Sequence, residues 1–154
     1  MANYKDIKNY LGLPQVQPVG LFKKDDPTNI YWFSTEPTIE VDMEKIITRK
    51  TVLKRGNVDG TVKELFSTGD YQITIEGILT GQDDKGYKVY PSVDVDDLVE
   101  LMEIEDNIGI VCELTNTFNI GLMVVSRFRS KRVGNTFQYT IFGYSDRDIL
   151  VTDA

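Results

Sequence analysis

Histidine is absent from this chain of 154 residues, and cysteine occurs only once, as Cys112. Without histidine, the chain lacks the commonest general base, the Ser-His and Cys-His nucleophile pairs, and the usual zinc and iron ligand sets. A single cysteine excludes an internal disulfide framework, and we expect Cys112 to be a small apolar residue on a buried strand face. We therefore expect a protein that is not an enzyme and that holds neither a cofactor nor a metal ion.

Long apolar runs are also missing. No run approaches the roughly 20 residues that cross a bilayer, and the N-terminus lacks the continuous apolar stretch of a secretory signal. We expect no membrane segment. The net charge of −7 argues against a general grip on nucleic acid, which needs a positive surface. The hydrophobic fraction of 41% is nevertheless high enough for a folded core.

Proline is scarce outside the N-terminal quarter of the chain. Four of the five prolines are Pro14, Pro18, Pro27 and Pro37. Proline removes a backbone donor and extends its predecessor, which disfavours long helices and central strands. The same segment is too apolar for a solvated tail. We predict that residues 1–39 form an extended arm, lying either on their own domain or on a neighbouring subunit.

Residues 40–154 show the pattern of a β-rich domain. Tyr71, Ile73 and Ile75 alternate with polar residues, which predicts a half-buried strand, and a polar turn follows at residues 82–86. Three further strands are predicted after residue 107, with Gly134-Asn135 at the tip of the last turn. The predicted fold class is α+β, mainly β: a β-sandwich or open barrel with one α-helix and the extended N-terminal arm.

The single helix is predicted to begin after Pro91. Val95, Leu98, Val99 and Met102 form one apolar stripe at helical spacing. Ser92 or Asp94 is expected to cap the first turn, and the acidic residues between 94 and 106 are expected to form a solvated face.

Basic residues fall into two groups, at residues 49–55 and at residues 127–132. They either keep exposed strands soluble or complement the acidic helix of a neighbouring copy, and composition leaves both open. A different possibility is a monomeric barrel that binds a small ligand or carbohydrate. Such a barrel would gather its aromatic residues in one pocket, and the candidates are Tyr31, Trp32, Tyr87 and Tyr90.

One segment has a distinctive amino-acid sequence. Residues 60–77 read GTVKELFSTGDYQITIEG, which resembles a stretch found in phage tail and baseplate proteins that are shared with contractile injection systems. Thr48–Val52, Tyr90-Pro91 and Glu113–Ile120 resemble other parts of that pattern, over roughly residues 40–145. Asn119 stands where the family has glycine. The resemblance implies a tail-tube-like fold and a structural role.

The implied function is that of a virion structural protein in a phage tail, tail tube or baseplate. Such a subunit would contact copies of itself in an oligomeric ring, with six copies as the candidate number, and other tail or baseplate proteins. DNA would pass through the lumen without specific binding, and assembly would take place in the bacterial host cytoplasm. Residues 60–69 are expected to form an irregular contact loop. The predicted interface residues are Gly60, Thr61, Val62, Lys63, Glu64, Arg49, Lys50, Arg127 and Arg129.

Overall fold

The computed structural model of the chain describes residues 7–43, 45–54, 57–68 and 71–146, with side chains described for residues 7–43 and 71–146. The elements in chain order are β1 (Gly20–Lys23), β2 (Ile30–Trp32), β3 (Thr38–Asp42), β4 (Lys45–Lys54), β5 (Asn57–Thr68), β6 (Gln72–Leu79), β7 (Gly81–Gln82), β8 (Lys88–Val89), α1 (Ser92–Met102), β9 (Ile108–Val111), α2 (Glu113–Thr117), β10 (Leu122–Val133) and β11 (Thr136–Asp146).

Seven strands form one antiparallel sheet in the order β2-β1-β9-β10-β11-β6-β3. The sheet is curled into a half-barrel, and the buried side chains of α1 belong to the core that it encloses. Strands β4 and β5 pair as a separate hairpin, as do β7 and β8. The predicted fold class, α+β and mainly β, is confirmed, and the curled open sheet corresponds to the open-barrel alternative.

Helix α1 buries the stripe that the sequence predicts. Val95 and Leu98 are buried together with Leu101, while Val99 and Met102 are partly buried against the same core. The predicted side-chain cap is wrong: the N-cap residue is Pro91, and it makes no capping hydrogen bond. Pro91 begins the helix through its backbone instead, since its carbonyl oxygen accepts a hydrogen bond from Val95 N at 3.0 Å.

The three strands after residue 107 are confirmed as the meander β9-β10-β11, with one local difference. Between β9 and β10, residues 113–117 form the short helix α2, whose N-cap is the buried Cys112. Asn119, which follows α2, has a φ of 56°, the left-handed conformation that favours glycine or asparagine. Asparagine adopts this backbone angle more easily than most residues with a side chain. The turn at Gly134 is tight, as predicted, with a φ of 59°.

The N-terminal segment, predicted to be an extended arm on its own domain or on a neighbouring subunit, is part of the main sheet. It supplies β1 and β2 to the main sheet, and the predicted boundary at residue 39 falls within β3. Val19, Leu21 and Phe33 are fully buried. The Phe33 ring stacks on Tyr139 of β11, with 5.2 Å between ring centroids. The prolines lie between the strands rather than within them, so they do not prevent the strands from pairing.

Close packing joins β1 to β9 beside the core. A Cβ atom added to Gly109 would lie only 2.1 Å from two atoms of the Phe22 ring. Glycine at this position lets the ring lie directly on the backbone of β9. At this position, strand β1 therefore packs directly against the backbone of β9.

Replacing Phe33 with alanine should destabilise the fold strongly. The side chain is fully buried and stacked on Tyr139, so Phe33→Ala should lower the free energy of unfolding by about 3–5 kcal/mol. Val16→Ala is the matched control, because Val16 is 84% exposed, and it should change the free energy by less than about 0.5 kcal/mol. Denaturant titration of both variants checks this. Equal, small effects would mean that the N-terminal segment is not part of the core.

The hydroxyl of Tyr139 gives a pH-dependent prediction. It is buried and has no hydrogen-bond partner among the described residues. Burial, with a smaller contribution from Tyr31, raises the pKa of Tyr139 above its ordinary value of 10.0. Above about pH 10 the folded chain therefore keeps a proton that the unfolded chain releases, so the contribution of Tyr139 to stability should be constant below about pH 10 and should fall as the pH rises further.

The variant Tyr139→Phe should flatten this alkaline loss. At pH 7 it should leave the free energy of unfolding unchanged or raise it by up to about 1 kcal/mol, because it removes an unsatisfied buried group. Tyr87→Phe, at an exposed side chain, is the control. Denaturant titrations between pH 7 and pH 11 measure both effects. A large loss of stability for Tyr139→Phe at pH 7 would show that the hydroxyl has a partner.

Candidate subunit interface

Strand β10 has one long edge that no other strand covers in the described part of the chain. On one side it pairs with β11 over its whole length. On the other side only Leu122 and Met123 pair, with Gly109 and Ile108 of β9. Along residues 124–133, one edge of the strand, about 30 Å long, therefore has N–H and C=O groups that no strand of the described residues pairs. Such an edge is a template for pairing with another strand.

A β-bulge decides which side chains of β10 face solvent. The register with β11 skips Ser126, because Val125 and Arg127 pair with consecutive residues of β11. Side chains alternate between the two faces of a strand, so without this extra residue Arg127 would point into the core. With the bulge, Phe128 instead packs against the core, and its ring stacks on Phe137 at 6.5 Å between centroids.

The bulge creates a basic row on the solvent face of the sheet. Arg127, Arg129 and Lys131 alternate along β10 and are all exposed. Arg132 points to the opposite face, where its guanidinium carbon lies 4.0 Å from the centroid of the Tyr90 ring. The predicted interface residues Arg127 and Arg129 are therefore neighbours in one row, although the sequence did not indicate the bulge that places them there.

The same solvent face becomes acidic at its other side. Across β11 and β6, the register aligns Arg127 with Glu40 of β3, and it aligns Val124 with Asp42. Glu76 of β6 is also exposed on this face. Three strand spacings of about 4.8 Å separate the basic row from β3, which is too far for an ion pair within one copy.

The remaining predicted interface residues lie on the β4–β5 hairpin, where side chains are outside the described part of the structure. Arg49 pairs with Lys63, and Lys50 pairs with Val62. The predicted irregular loop at residues 60–69 is wrong up to residue 68, because residues 60–68 belong to strand β5, which pairs with β4 with two register shifts. Their role as contacts between subunits stays a prediction. The predicted interface residues on this hairpin are Arg49, Lys50, Gly60, Thr61, Val62, Lys63 and Glu64.

The hairpin is inserted between two paired strands of the main sheet. Asp42 at the end of β3 pairs with Gln72 of β6, and the next described pair is Lys45 of β4 with Thr68 of β5. The chain therefore leaves the main sheet at the acidic end of β3 and returns to it at the start of β6. The predicted hairpin residues and the acidic edge of β3 are neighbours along the chain.

The acidic face of α1 is solvated, as predicted. Asp96, Asp97 and Glu100 are exposed. Glu100 accepts a hydrogen bond from Lys23 Nζ at 2.9 Å, and this contact raises the pKa of the lysine above its usual 10.5. The contact is an ion pair between two exposed side chains. The acidic helix therefore remains a possible partner for a basic surface.

The aromatic residues that a small-ligand barrel would gather do not meet in one pocket. Tyr31 and Trp32 line a cleft of about 310 Å³ beside α1, together with several carboxylates. Tyr87 is 69% exposed in the β7–β8 turn, and Tyr90 lies under Arg132. The geometry does not favour the ligand-binding alternative.

In residues 7–43 and 71–146, no group of three or more cysteine or carboxylate side chains comes together in a way that could hold a metal ion. None of the helices found in these residues has the length and apolar character needed to span a membrane.

Comparison with known proteins gives a matching family and similar solved structures. Residues 32–153 match the family described as a domain of unknown function, DUF6046. The fold is similar to the crystal structure of SPP1 Dit (gp 19.1), which is described as a paradigm of the hub adsorption apparatus in phages that infect Gram-positive bacteria. The sequence identity is 12%, the TM-score is 0.49, and the alignment covers 86% of this chain and 50% of that chain. The chain thus spans about half the length of SPP1 Dit. The search of curated proteins found no match.

Hydrogen exchange of a dilute, monomeric sample should reveal the open edge of β10. Backbone amides in residues 124–133 that point to β11 should be protected, while the alternate amides should exchange quickly. Strand β11 is the internal control, because residues 137–144 pair with strands on both sides and should be protected throughout. Residue-resolved exchange measured by NMR checks this. Uniform protection along β10 in the monomer would mean that the edge is already covered.

Proposed function

We propose that this chain, which belongs to the DUF6046 domain family, is a non-enzymatic structural subunit of a phage tail or baseplate, or of a related injection machine. It acts through contacts with copies of itself in a ring and with other tail or baseplate proteins. It is located in the virion and is assembled in the cytoplasm of the bacterial host.

The observation that carries the proposal is the open edge of β10. An exposed edge of this length is a liability, and proteins normally shorten, cover, bend or charge such edges. Here the edge is long, and it is lined by Arg127, Arg129 and Lys131. Charges on an edge prevent indiscriminate pairing, but they also select a partner of opposite charge. An edge that is both open and selective is what a subunit of an ordered assembly needs.

The identity of the assembly is supported by the sequence resemblance. The sequence of residues 60–77 resembles that of the phage tail and baseplate family, and these residues cover most of β5 and most of β6. This is the part of the chain where the hairpin joins the main sheet next to the acidic edge of β3. The most specific part of the resemblance therefore lies beside one of the candidate contact surfaces.

The charge of the chain supports the proposal that DNA passes through the assembly without being bound specifically. A net charge of −7 disfavours the release of phosphate counterions that drives nucleic-acid binding. Within the described side chains, the basic row of β10 is matched by acidic residues on the same face of the sheet. A lumen formed by such faces would let DNA pass without binding it specifically.

The oligomeric state of the purified chain tests the proposal. Sedimentation velocity and native mass spectrometry at rising concentration should show species at integer multiples of the 17.5 kDa chain, and negative-stain images should show closed rings. A chain that stays monomeric at every concentration and instead binds a sugar or lipid would contradict the structural role.

The location in a virion needs a separate test. Antibodies against the chain should label the tails of phage-like particles that are released from cells encoding it. Antibodies against a capsid protein of the same particles are the control and should label only the heads. Heads labelled by the antibody against this chain, or particles left unlabelled, would contradict the proposed location.

A further inference from the structure

We infer that the open edge of β10 in one copy pairs, antiparallel, with the edge of β3 in a second copy of this chain. This inference rests on the proposed function and names the two surfaces that meet. It joins the β10-β11-β6-β3 unit of each copy to that of the next copy, head to tail, so that one sheet continues across the contact.

The edge of β3 is the second open edge of suitable length. Among the described residues, β3 pairs only with β6, and Thr38, Glu40 and Asp42 are exposed. The sheet has one further end strand, β2, but β2 has three residues, all of them partly buried. Strand β3 has five residues, and it leads along the chain to the ten-residue strand β4.

Strand directions fit this join. Each neighbouring pair in the unit β10-β11-β6-β3 is antiparallel, so β10 and β3 at its two sides run in opposite directions. A rotation about an axis roughly along the strands leaves strand directions unchanged. It therefore brings β10 of the next copy beside β3 in antiparallel orientation, and repeated copies continue the same alternation.

Charges on the two edges are opposite in sign and lie at the same register positions across the sheet. On the solvent face, the register aligns Arg127 of β10 with Glu40 of β3 across the sheet. Arg129, two residues further along β10, is aligned in the same way with Glu76 and Thr38. None of these charges is in an ion pair among the described side chains of one copy. Placing the next copy beside β3 brings its basic row against these carboxylates, where cross-strand pairs of opposite charge stabilise a sheet.

Paired charge reversals test the contact. Arg127→Glu/Arg129→Glu makes both edges acidic, and Glu40→Lys/Asp42→Lys makes both edges basic. Each variant alone should assemble at least about tenfold more weakly than the wild type, because like charges then face each other. An equimolar mixture of the two should assemble again with alternating copies, and a single chain carrying all four changes should assemble by itself. The measurement is sedimentation velocity, with circular dichroism to show that each variant is folded.

The matched control replaces the other acidic surface. Asp96→Lys/Asp97→Lys reverses two exposed charges on α1 and should leave assembly within about twofold of the wild type. If this variant fails to assemble while Glu40→Lys/Asp42→Lys assembles normally, the basic row meets the helix and the inference is overturned, although the proposed function stands. If the wild-type chain forms no oligomer under any condition, the proposed function fails as well.

Disulfide trapping tests the register without relying on charge. Cysteines placed at Thr38 and Arg129 of one chain are about 14 Å apart across three strand spacings, which is too far for a disulfide within a copy. In the assembly these positions come within one strand spacing, so mild oxidation should produce a ladder of covalent oligomers. The pair Asp96→Cys/Arg129→Cys is the control and should give no ladder. A ladder from the control alone would overturn the inference.

Discussion

The alternation of side chains across one curled sheet is the constraint on which the rest of the structure depends. One face must bury the apolar residues around Phe33 and α1, and the other must remain soluble. Strand β10 would violate this rule after Val125 if it continued regularly, because Arg127 would enter the core and Phe128 would face water. The extra residue Ser126 restores the rule and bends the strand at the same point. The basic row is thus a consequence of how the core is kept apolar.

Local structure was largely predictable from the sequence, because it follows from nearby residues. The stripe that includes Val95 and Leu98 predicted α1, and the alternation of Ile73 and Ile75 predicted β6. The turn at Gly134 follows from a backbone angle that few other residues adopt easily. The same argument explains Asn119 after α2. In each case the property that decides the structure lies within a few residues of the position concerned.

Long-range pairing and the candidate site were not predictable in the same way. Prolines predicted an extended N-terminal arm, but the segment is too apolar to stay outside, and β1 pairs with β9 almost 90 residues later. Arg127 and Arg129 were identified as basic residues of an exposed strand. The face that they share depends on a bulge. Its signal in the sequence is that the core-facing apolar residues change from odd positions, such as Val125, to an even position at Phe128. The acidic partner edge depends on which strands end the sheet, a property of the whole fold.

Opposite charges on the two edges also restrict the symmetry of any assembly. A two-fold dimer joined through β10 would place Arg127 and Arg129 against the same residues of its partner, and one joined through β3 would place Glu40 against Asp42 or another carboxylate. Like charges disfavour both arrangements. A head-to-tail contact avoids the repulsion, and such contacts produce closed rings when the rotation between copies closes, or open filaments when it does not. In the inferred contact, the charge pattern therefore favours a head-to-tail join over either two-fold dimer.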